Sequence, residues 1–143
     1  MSSDLHDGPD SGSHWEEGVH IDLEEPFVDQ RGSIQPLVEG NFKSAQLITS
    51  KAGSVRANHY HKQDFHYMFV ISGSFDYYYR PTGSEGEPKC LHVGVGELVY
   101  TPPMVDHAVR FNENTTFINF SGRERDQGSY EDDLVRIELI PTE

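Results

Sequence analysis

The sequence "NHYHKQDFHYMF", residues Asn58–Phe69, places three histidines inside a stretch with the composition of β-strands. Side chains alternate between the two faces of a strand, so His59 and His61 lie on one face and Tyr60 on the other. His66 begins the next apolar run. Neutral imidazoles are common metal ligands, and burying three of them without partners costs free energy. The stretch therefore indicates a site at which histidines converge.

Several other short runs are rich in the β-branched and aromatic residues that are typical of strands. They are "AQLITS", "FHYMFVIS", "SFDYYYR", "ELVYTP", "HAVRF" and "TTFINFS". Glycine, proline, asparagine or serine interrupts the chain between most of them. No long window has the periodicity of an amphipathic helix. The sequence therefore predicts an all-β fold, either an antiparallel sandwich or a barrel.

The chain has 143 residues, which suits one domain. Residues 1–18 are rich in Ser, Gly, Asp and Glu and lack apolar periodicity, so we expect a disordered leader there. Residues 19–143 are expected to form a single domain.

The formal net charge of −13 argues against nucleic acid and anionic membranes as partners. A single cysteine, Cys90, excludes an internal disulfide and fits a reducing compartment. The sequence has no apolar run long enough to span a bilayer, and its first residues lack the features of a secretion signal. We therefore expect a cytoplasmic protein that binds neither membranes nor nucleic acid.

The stretch from Gly53 to Gly73 resembles the first motif of the cupin superfamily. That motif has a glycine, a His-x-His pair, a glutamate and a second glycine at set intervals. Gly53, His59, His61 and Gly73 fit these intervals, and His66 stands at the position of the glutamate.

The second cupin motif is similar to "GELVYTPPMVDHAVRF". Gly96, Pro102 and His107 match it, whereas Met104 and Phe111 replace a glycine and an asparagine of the family. Together the two motifs cover the chain from about residue 53 to residue 111.

The resemblance implies a small antiparallel jelly-roll barrel that holds one divalent transition metal, such as Zn, Fe, Ni or Mn. The four implied ligands are His59, His61, His66 and His107. With an imidazole in place of the glutamate, the site should bind Mg and Ca less tightly. Asp64 is a weaker candidate ligand, because we expect strand alternation to turn its side chain away from His66.

A closer resemblance is to cupins that modify nucleotide-linked sugars. It rests on "FVDQRGSIQPLVEGNF" at residues 27–42, "HYHK" at 59–62, "PPM" before His107, and "GSYEDDLVRIEL" near the C-terminus. The sugar 3,4-ketoisomerases are the most similar group, and the dTDP-4-keto-6-deoxysugar 3,5-epimerases are more distant. In the ketoisomerases the His-x-His pair moves protons beside a keto carbon without needing a metal. The resemblance therefore makes His59 and His61 candidate catalytic residues, as an alternative to their being metal ligands.

Cations and tyrosines provide candidates for binding a nucleotide sugar. The candidates for gripping a diphosphate are Arg31, Arg56, Lys62 and Arg80. Tyr77 and Tyr79 share one face of their strand and are candidates for donating to sugar oxygens, and Tyr67 is a candidate catalytic residue. The alternatives are surface ion pairs for Arg31 and Arg56 and sheet packing for the tyrosines.

Three functions are compatible with these features. The first is an isomerase or epimerase acting on a nucleotide-linked keto-sugar in polysaccharide precursor synthesis. The second is a metal-dependent dioxygenase or lyase on a small organic substrate, and the third is a non-catalytic metal- or sugar-binding module. By analogy with cupins, the C-terminal segment is expected to form an edge strand through which the chain makes a homodimer.

Overall fold

The computed structural model describes residues 19–123 and 127–142, so the predicted leader at residues 1–18 lies outside the described residues. The strands are β1 His20–Ile21, β2 Phe27–Asp29, β3 Gly32–Ile34, β4 Ser44–Ser50, β5 Val55–His61, β6 His66–Ser72, β7 Phe75–Pro81, β8 Lys89–Val93, β9 Leu98–Thr101, β10 Val105–Phe111, β11 Thr115–Ser121 and β12 Leu134–Arg136. One short helix, α1, spans Gln127–Asp133. Among the described residues, no helix has the length and apolar character needed to span a bilayer.

The strands form two antiparallel five-stranded sheets and a separate hairpin. The order is β1-β9-β6-β11-β4 in the first sheet and β12-β5-β10-β7-β8 in the second, and β2 pairs with β3. Apart from β7 and β8, neighbours in each sheet are not consecutive in sequence, as in a jelly roll, where the chain crosses repeatedly between two packed sheets. The predicted all-β jelly-roll fold is confirmed.

The main core lies between the two sheets and is aromatic at its centre. The ring centroids of Phe75, Phe111 and Phe117 are all 5.7 Å apart, and each ring is at most 3% exposed. Val70 and Val109 pack into the same cluster. These side chains come from the alternate positions of β6, β7, β10 and β11 that face inward, so the packing follows directly from the period of two in the sequence.

A second apolar cluster covers the outer face of the first sheet. Tyr67, Leu98 and Tyr100 form its centre, and residues from the segment before β4, including Leu23 and Phe42, pack against them. The two faces of β6 are thus separated, because its even-numbered residues point into the barrel and Tyr67 points out. This outer cluster attaches the N-terminal segment to the sheet.

Strand β5 contains a bulge immediately before its two histidines. The pairing with β10 shifts between His107, opposite His59, and Ala108, opposite Ala57. Ala57 and Asn58 have positive φ angles of 72° and 59°, a conformation that asparagine tolerates better than most residues. The extra residue sets the direction of the strand as it enters the histidine region.

The side chain of Asn58 ties the C-terminal segment to this bulge. Its Oδ1 atom accepts from the backbone N–H groups of Leu139 at 2.9 Å and Ile140 at 3.1 Å, and its Nδ2 donates to the carbonyl of Ile140 at 3.0 Å. Strand β12 pairs with β5 and lies at the edge of the second sheet. The predicted C-terminal edge strand is confirmed, and the homodimer stays a prediction.

Candidate active site

Four histidines come together at one end of the barrel. His59 and His61 lie on β5, His107 lies opposite His59 on β10, and His66 begins β6 of the other sheet. The ring centroid of His61 is 4.7 Å from that of His59, 4.6 Å from that of His66 and 5.8 Å from that of His107. His59 is the least buried of the four, so it lies closest to the opening of the site.

A carboxylate fixes the orientation of His61. Its Nδ1 atom is 3.0 Å from Oδ2 of Asp133, and the two side chains are only 2% and 5% exposed. Because a carboxylate accepts hydrogen bonds, Nδ1 carries the hydrogen and Nε2 keeps its lone pair. Asp133 also accepts from the backbone N–H groups of Gln63 and Asp64, so the same side chain holds the loop between β5 and β6.

Two more of the imidazoles are held in the same tautomer. Nδ1 of His107 donates to the carbonyl oxygen of Val105 at 3.0 Å. Nδ1 of His66 donates to Oδ1 of Asn119 at 3.0 Å and is 3.2 Å from Oγ of Ser121. Carbonyl and amide oxygens only accept, so Nδ1 carries the hydrogen in both rings and Nε2 is the free ligand atom.

The donor atoms fall into two overlapping groups. In each group all of the donor atoms lie within 4.8 Å of one another: one group is His59, His61 and His107, and the other is His61, Asp64 and His66. His61 is the member that the two groups share. The site thus offers three imidazoles on one side and a mixed imidazole–carboxylate group on the other, rather than a single group of four imidazoles.

Asp64 faces His66, and the expectation that it turns away is wrong. Oδ2 of Asp64 is 3.2 Å from Nε2 of His66, at ion-pair distance but without the angles of a well-formed hydrogen bond. Strand β6 begins only at His66, so Asp64 belongs to the preceding loop and strand alternation does not apply to it. Since Nδ1 of His66 already carries a hydrogen, a lone pair on Nε2 would repel the carboxylate. A proton or a metal ion between the two atoms removes that repulsion.

The electrostatics of the site favour neutral imidazoles on one side. Burial, with the nearby His66, lowers the pKa of His61 to about 4, and burial lowers the pKa of His107 to about 3. The pKa of His59 is also lowered, first by burial and then by the neighbouring His107 and His61. Burial alone would raise the pKa of Asp64, but the neighbouring His66 and the hydrogen bond from the Phe65 N–H lower it overall. Asp64 is therefore a carboxylate, while the three-imidazole group is uncharged at neutral pH.

Tyrosine rings form the inner surface below the histidines. Tyr77 stacks against His107 with 6.2 Å between centroids, and its hydroxyl is 2.7 Å from Oγ1 of Thr101. Tyr79 stacks on Tyr77 at 5.4 Å. Both tyrosines face inward, whereas Tyr78 of the same strand is outside the core cluster, as alternation predicts. Tyr77 is therefore buried next to the site and supports His107 by packing against its ring.

The remaining candidates are not brought to the histidines. Tyr67 lies in the outer cluster, on the face of β6 opposite His66. Arg31 is exposed in the β2–β3 hairpin, where it pairs with Asp29 at 2.6 Å. Lys62 is exposed in the loop after His61, and Arg56 lies near the other end of β5 beside Ser50. Their assignment to substrate binding or catalysis stays a prediction.

Sequence reasoning missed the partners that orient the histidines. Asp133 is 72 positions from His61, and Asn119 is 53 positions from His66. A signal existed for Asn119, which alternation places on the inner face of "TTFINFS" among apolar residues, where a polar side chain needs a partner. No local pattern marks Asp133 among the acidic residues of its segment.

The chain has a cupin-like jelly-roll fold. No protein-family model matches the sequence, and a search of curated proteins finds no significant match. Solved structures do match: QdtA, a sugar 3,4-ketoisomerase from Thermoanaerobacterium thermosaccharolyticum solved in complex with TDP, superposes with a TM-score of 0.63 and 19% identity over 80% of this chain and 84% of that chain. The recognition of a cupin barrel from the sequence is confirmed.

Two further structures have the same fold. A 3,4-ketoisomerase from Helicobacter canadensis gives a TM-score of 0.64 and 16% identity over 82% of this chain and 87% of that chain. The dTDP-4-dehydrorhamnose 3,5-epimerase from Sulfolobus tokodaii gives a TM-score of 0.61 and 17% identity over 78% and 79% of the two chains. At these identities the similarity is one of fold.

Proposed function

We propose that the chain is an isomerase or epimerase of a nucleotide-linked keto-sugar, in which His61 and His66 move protons beside the carbonyl carbon. The observation that carries the proposal is the facing pair of carboxylate-linked imidazoles, His61 with Asp133 and His66 with Asp64. The shared fold with 3,4-ketoisomerases and a 3,5-epimerase supports the choice of substrate class. Polysaccharide precursor synthesis is the process in which such a substrate would be used.

The two imidazoles have different partners, because Nδ1 of His61 faces Asp133 whereas Nε2 of His66 faces Asp64. His61 has a pKa of about 4, so at pH 7 its Nε2 lone pair can accept a proton from the carbon next to a carbonyl. The electrons of that C–H bond move toward the carbonyl and leave an enolate, while Asp133 stabilises the imidazolium that forms. His66, facing the Asp64 carboxylate, is the group that delivers a proton. In an isomerase that proton goes to the former carbonyl carbon, while the hydroxyl proton of the first carbon moves to the enolate oxygen and leaves the new carbonyl. In an epimerase it goes to the opposite face of the carbon that lost its proton. Two titratable groups in contrasting environments are a common basis for such a division of roles.

We also propose that His59, His61 and His107 can hold one divalent transition metal, with His66 and Asp64 next to it. The fit rests on the donor set, because three neutral imidazoles with donor atoms within 4.8 Å suit Zn, Fe, Ni or Mn, and the Nδ1 hydrogens of two of them, His61 and His107, are already engaged. A bound metal would supply Lewis acidity at a developing enolate oxygen. It would also engage Nε2 of His61, leaving His66 as the proton-transfer group.

The three-imidazole group supports a second candidate function, a metal-dependent dioxygenase or lyase. Three protein ligands leave open positions on a transition metal, which that chemistry requires. Oxygen consumption by the iron-loaded protein separates this function from the isomerase. If the chain is an isomerase, it should consume no oxygen, and it should instead introduce solvent deuterium into a keto-sugar.

The test is solvent exchange into a panel of dTDP- and GDP-4-keto-6-deoxysugars, followed by NMR in deuterated water. We expect exchange at the carbon beside the carbonyl, reduced about 100-fold or more in Asp133→Asn because the carboxylate that orients His61 is lost. His92→Gln is the matched control, since His92 also pairs with a carboxylate, Asp76 at 2.9 Å, but on the exposed surface of β8. No exchange with any sugar of the panel, or equal losses in both variants, would contradict the proposal. Metal analysis of the same preparations beside His107→Ala tests the metal separately.

A further inference from the structure

A polar groove lies at the end of the barrel opposite the histidines. Its volume is about 540 Å³, and it is lined by the ends of β4 and β6, the start of β5 and the β10–β11 turn. Six of the lining residues are serines or threonines, and the others are Lys51, Arg56 and Asn114. The size falls in the range of small-molecule sites in proteins.

The charge of this groove is opposite to that of the whole chain. The sequence has 24 acidic and 11 basic residues, yet the lining contains two cations and no carboxylate. Within residues 19–123 and 127–142, neither Lys51 nor Arg56 forms an ion pair with a carboxylate. A positive site with a rim of hydroxyl donors therefore stands out against a strongly negative background.

Arg56 is already held in a defined position. It is an exposed residue near the start of β5, opposite Val109 of β10. Its Nε donates to Oγ of Ser50 at 2.7 Å, and one terminal nitrogen donates to the carbonyl of Thr49 at 3.0 Å. These two bonds fix the plane of the guanidinium. A fixed guanidinium loses little conformational entropy when an oxyanion binds to its remaining N–H groups.

The turn that carries Lys51 is also braced. Oγ of Ser54 donates to the carbonyl of Lys51 at 2.6 Å, and the backbone N–H of Ala52 donates to Oδ1 of Asn114 at 2.9 Å. The ammonium group of Lys51 thus extends from a held backbone next to Arg56. Phosphate groups are commonly bound by such a combination of Lys, Arg and hydroxyl donors.

The groove is separate from the histidine site. Strand β6 runs from His66 at one site to Ser72 at the other, a separation of about 20 Å along the strand. The aromatic core around Phe117 lies between them. A ligand in the groove therefore does not touch the imidazoles.

We propose that this groove binds a small molecule bearing a phosphate or diphosphate group. The two cations neutralise the charge, the fixed guanidinium gives paired hydrogen bonds to phosphate oxygens, and the hydroxyls donate to the rest. The site is independent of the proposed isomerase reaction, because none of its residues contacts a histidine of the active site. Arg56 thus has the diphosphate-binding role expected from the sequence, but in this groove rather than at the histidine site.

The test is titration of the ¹⁵N-labelled full chain with inorganic pyrophosphate, at low ionic strength because exposed charges are screened by salt. We expect shifts at the amides of Lys51, Arg56 and Asn114 but not at His61 or His107. The double variant Lys51→Gln/Arg56→Gln should weaken binding by about tenfold or more, and Arg56→Lys should weaken it less.

The control is Lys43→Gln/Arg110→Gln, which removes two cations elsewhere. Lys43 flanks the other end of β4, and Arg110 is half-buried and donates to the carbonyl of Pro141. This control should retain the affinity of the native chain, and thermal unfolding should show that both double variants are folded. Shifts centred on the histidines, an equal loss of affinity in both double variants, or no saturable binding would each overturn the proposal.

Discussion

Strand β11 allows the two halves of the barrel to be compared along one inner face. Phe117 packs against Phe75 and Phe111, whereas Asn119, two residues further, bonds to His66. Strands β6 and β10 repeat the contrast, since Val70 and Val109 pack in the aromatic core whereas His66 and His107 lie at the site. Phe117 and Asn119 are each 3% exposed, but one half is held by apolar packing and the other by specific hydrogen bonds. The lesson is that burial alone does not distinguish the stabilising half from the half that performs chemistry.

The largest expected effect concerns the apolar half. Phe117→Ala removes a ring that is 3% exposed and leaves a cavity, so the free energy of unfolding should fall by about 3–5 kcal/mol. Urea denaturation of the purified variant measures this loss. In the fraction that stays folded, the ring-nitrogen NMR signals of His61 and His66 should be unchanged. Altered histidine signals would mean that the two halves are coupled rather than separate.

The next effect is a dependence of stability on pH that arises in the histidine half. It is expected for protein from which a chelator has removed any metal. In the unfolded chain His61 and His107 bind protons below about pH 6.5, but in the folded chain they do so only near pH 4 and 3. The unfolded state therefore holds more protons in this window, and stability falls as the pH drops from about 6.5 toward 4. For the two histidines together we expect a loss of about 2 kcal/mol over the first unit of this window, from about pH 6.5 to 5.5, measured by urea unfolding at a series of pH values. A slope that is unchanged in His107→Gln would contradict this origin.

A smaller effect is expected from the partner of His66. Asn119→Ala removes the oxygen that accepts from Nδ1 of His66 and leaves a buried donor with only Ser121 nearby. The free energy of unfolding should fall by about 1–2 kcal/mol, less than for Phe117→Ala. The tautomer of His66, measured from its ring nitrogen shifts, should become mixed. A pure tautomer in the variant would show that Ser121 alone orients the ring.

The smallest effect is expected at Met104, at the mouth of the histidine half. Its φ angle is 61°, and its side chain is 48% exposed, so little packing offsets the unfavourable backbone conformation. Met104→Gly should raise the free energy of unfolding by up to about 1 kcal/mol, a gain reduced by the greater entropy of unfolded glycine. The backbone bond from Met104 to the carbonyl of His61 is kept. Thermal unfolding measures the change, and a marked loss of stability would mean that the Met104 side chain packs in solution.

The sequence was most informative where a local period governs the structure. Alternation correctly divided Tyr77 and Tyr79 from Tyr78, and the spacing of the histidines indicated their convergence. The glycine of the first cupin motif, Gly73, has a φ of 90°, and a side chain there would meet Thr115 and Asn114. The structure at such positions can be predicted because the conformational constraint lies within the residue itself or within its own strand.

The sequence was least informative where partners meet only in the tertiary fold. The bulge at Ala57 and Asn58, the loop that turns Asp64 toward His66, and the approach of Asp133 to His61 all depend on contacts between distant segments. An acidic residue in an acidic chain carries no mark of such a role. The histidines could therefore be found from the sequence, but the groups that set their tautomers could not.

The position of Asp133 in the chain has a consequence for synthesis. Every strand that carries a histidine of the site is translated before Asp133, and the tail that bonds to Asn58 follows later still. A nascent chain thus acquires its imidazoles before the carboxylate that orients His61 leaves the ribosome. Proton transfer by the proposed route is withheld until that late segment docks.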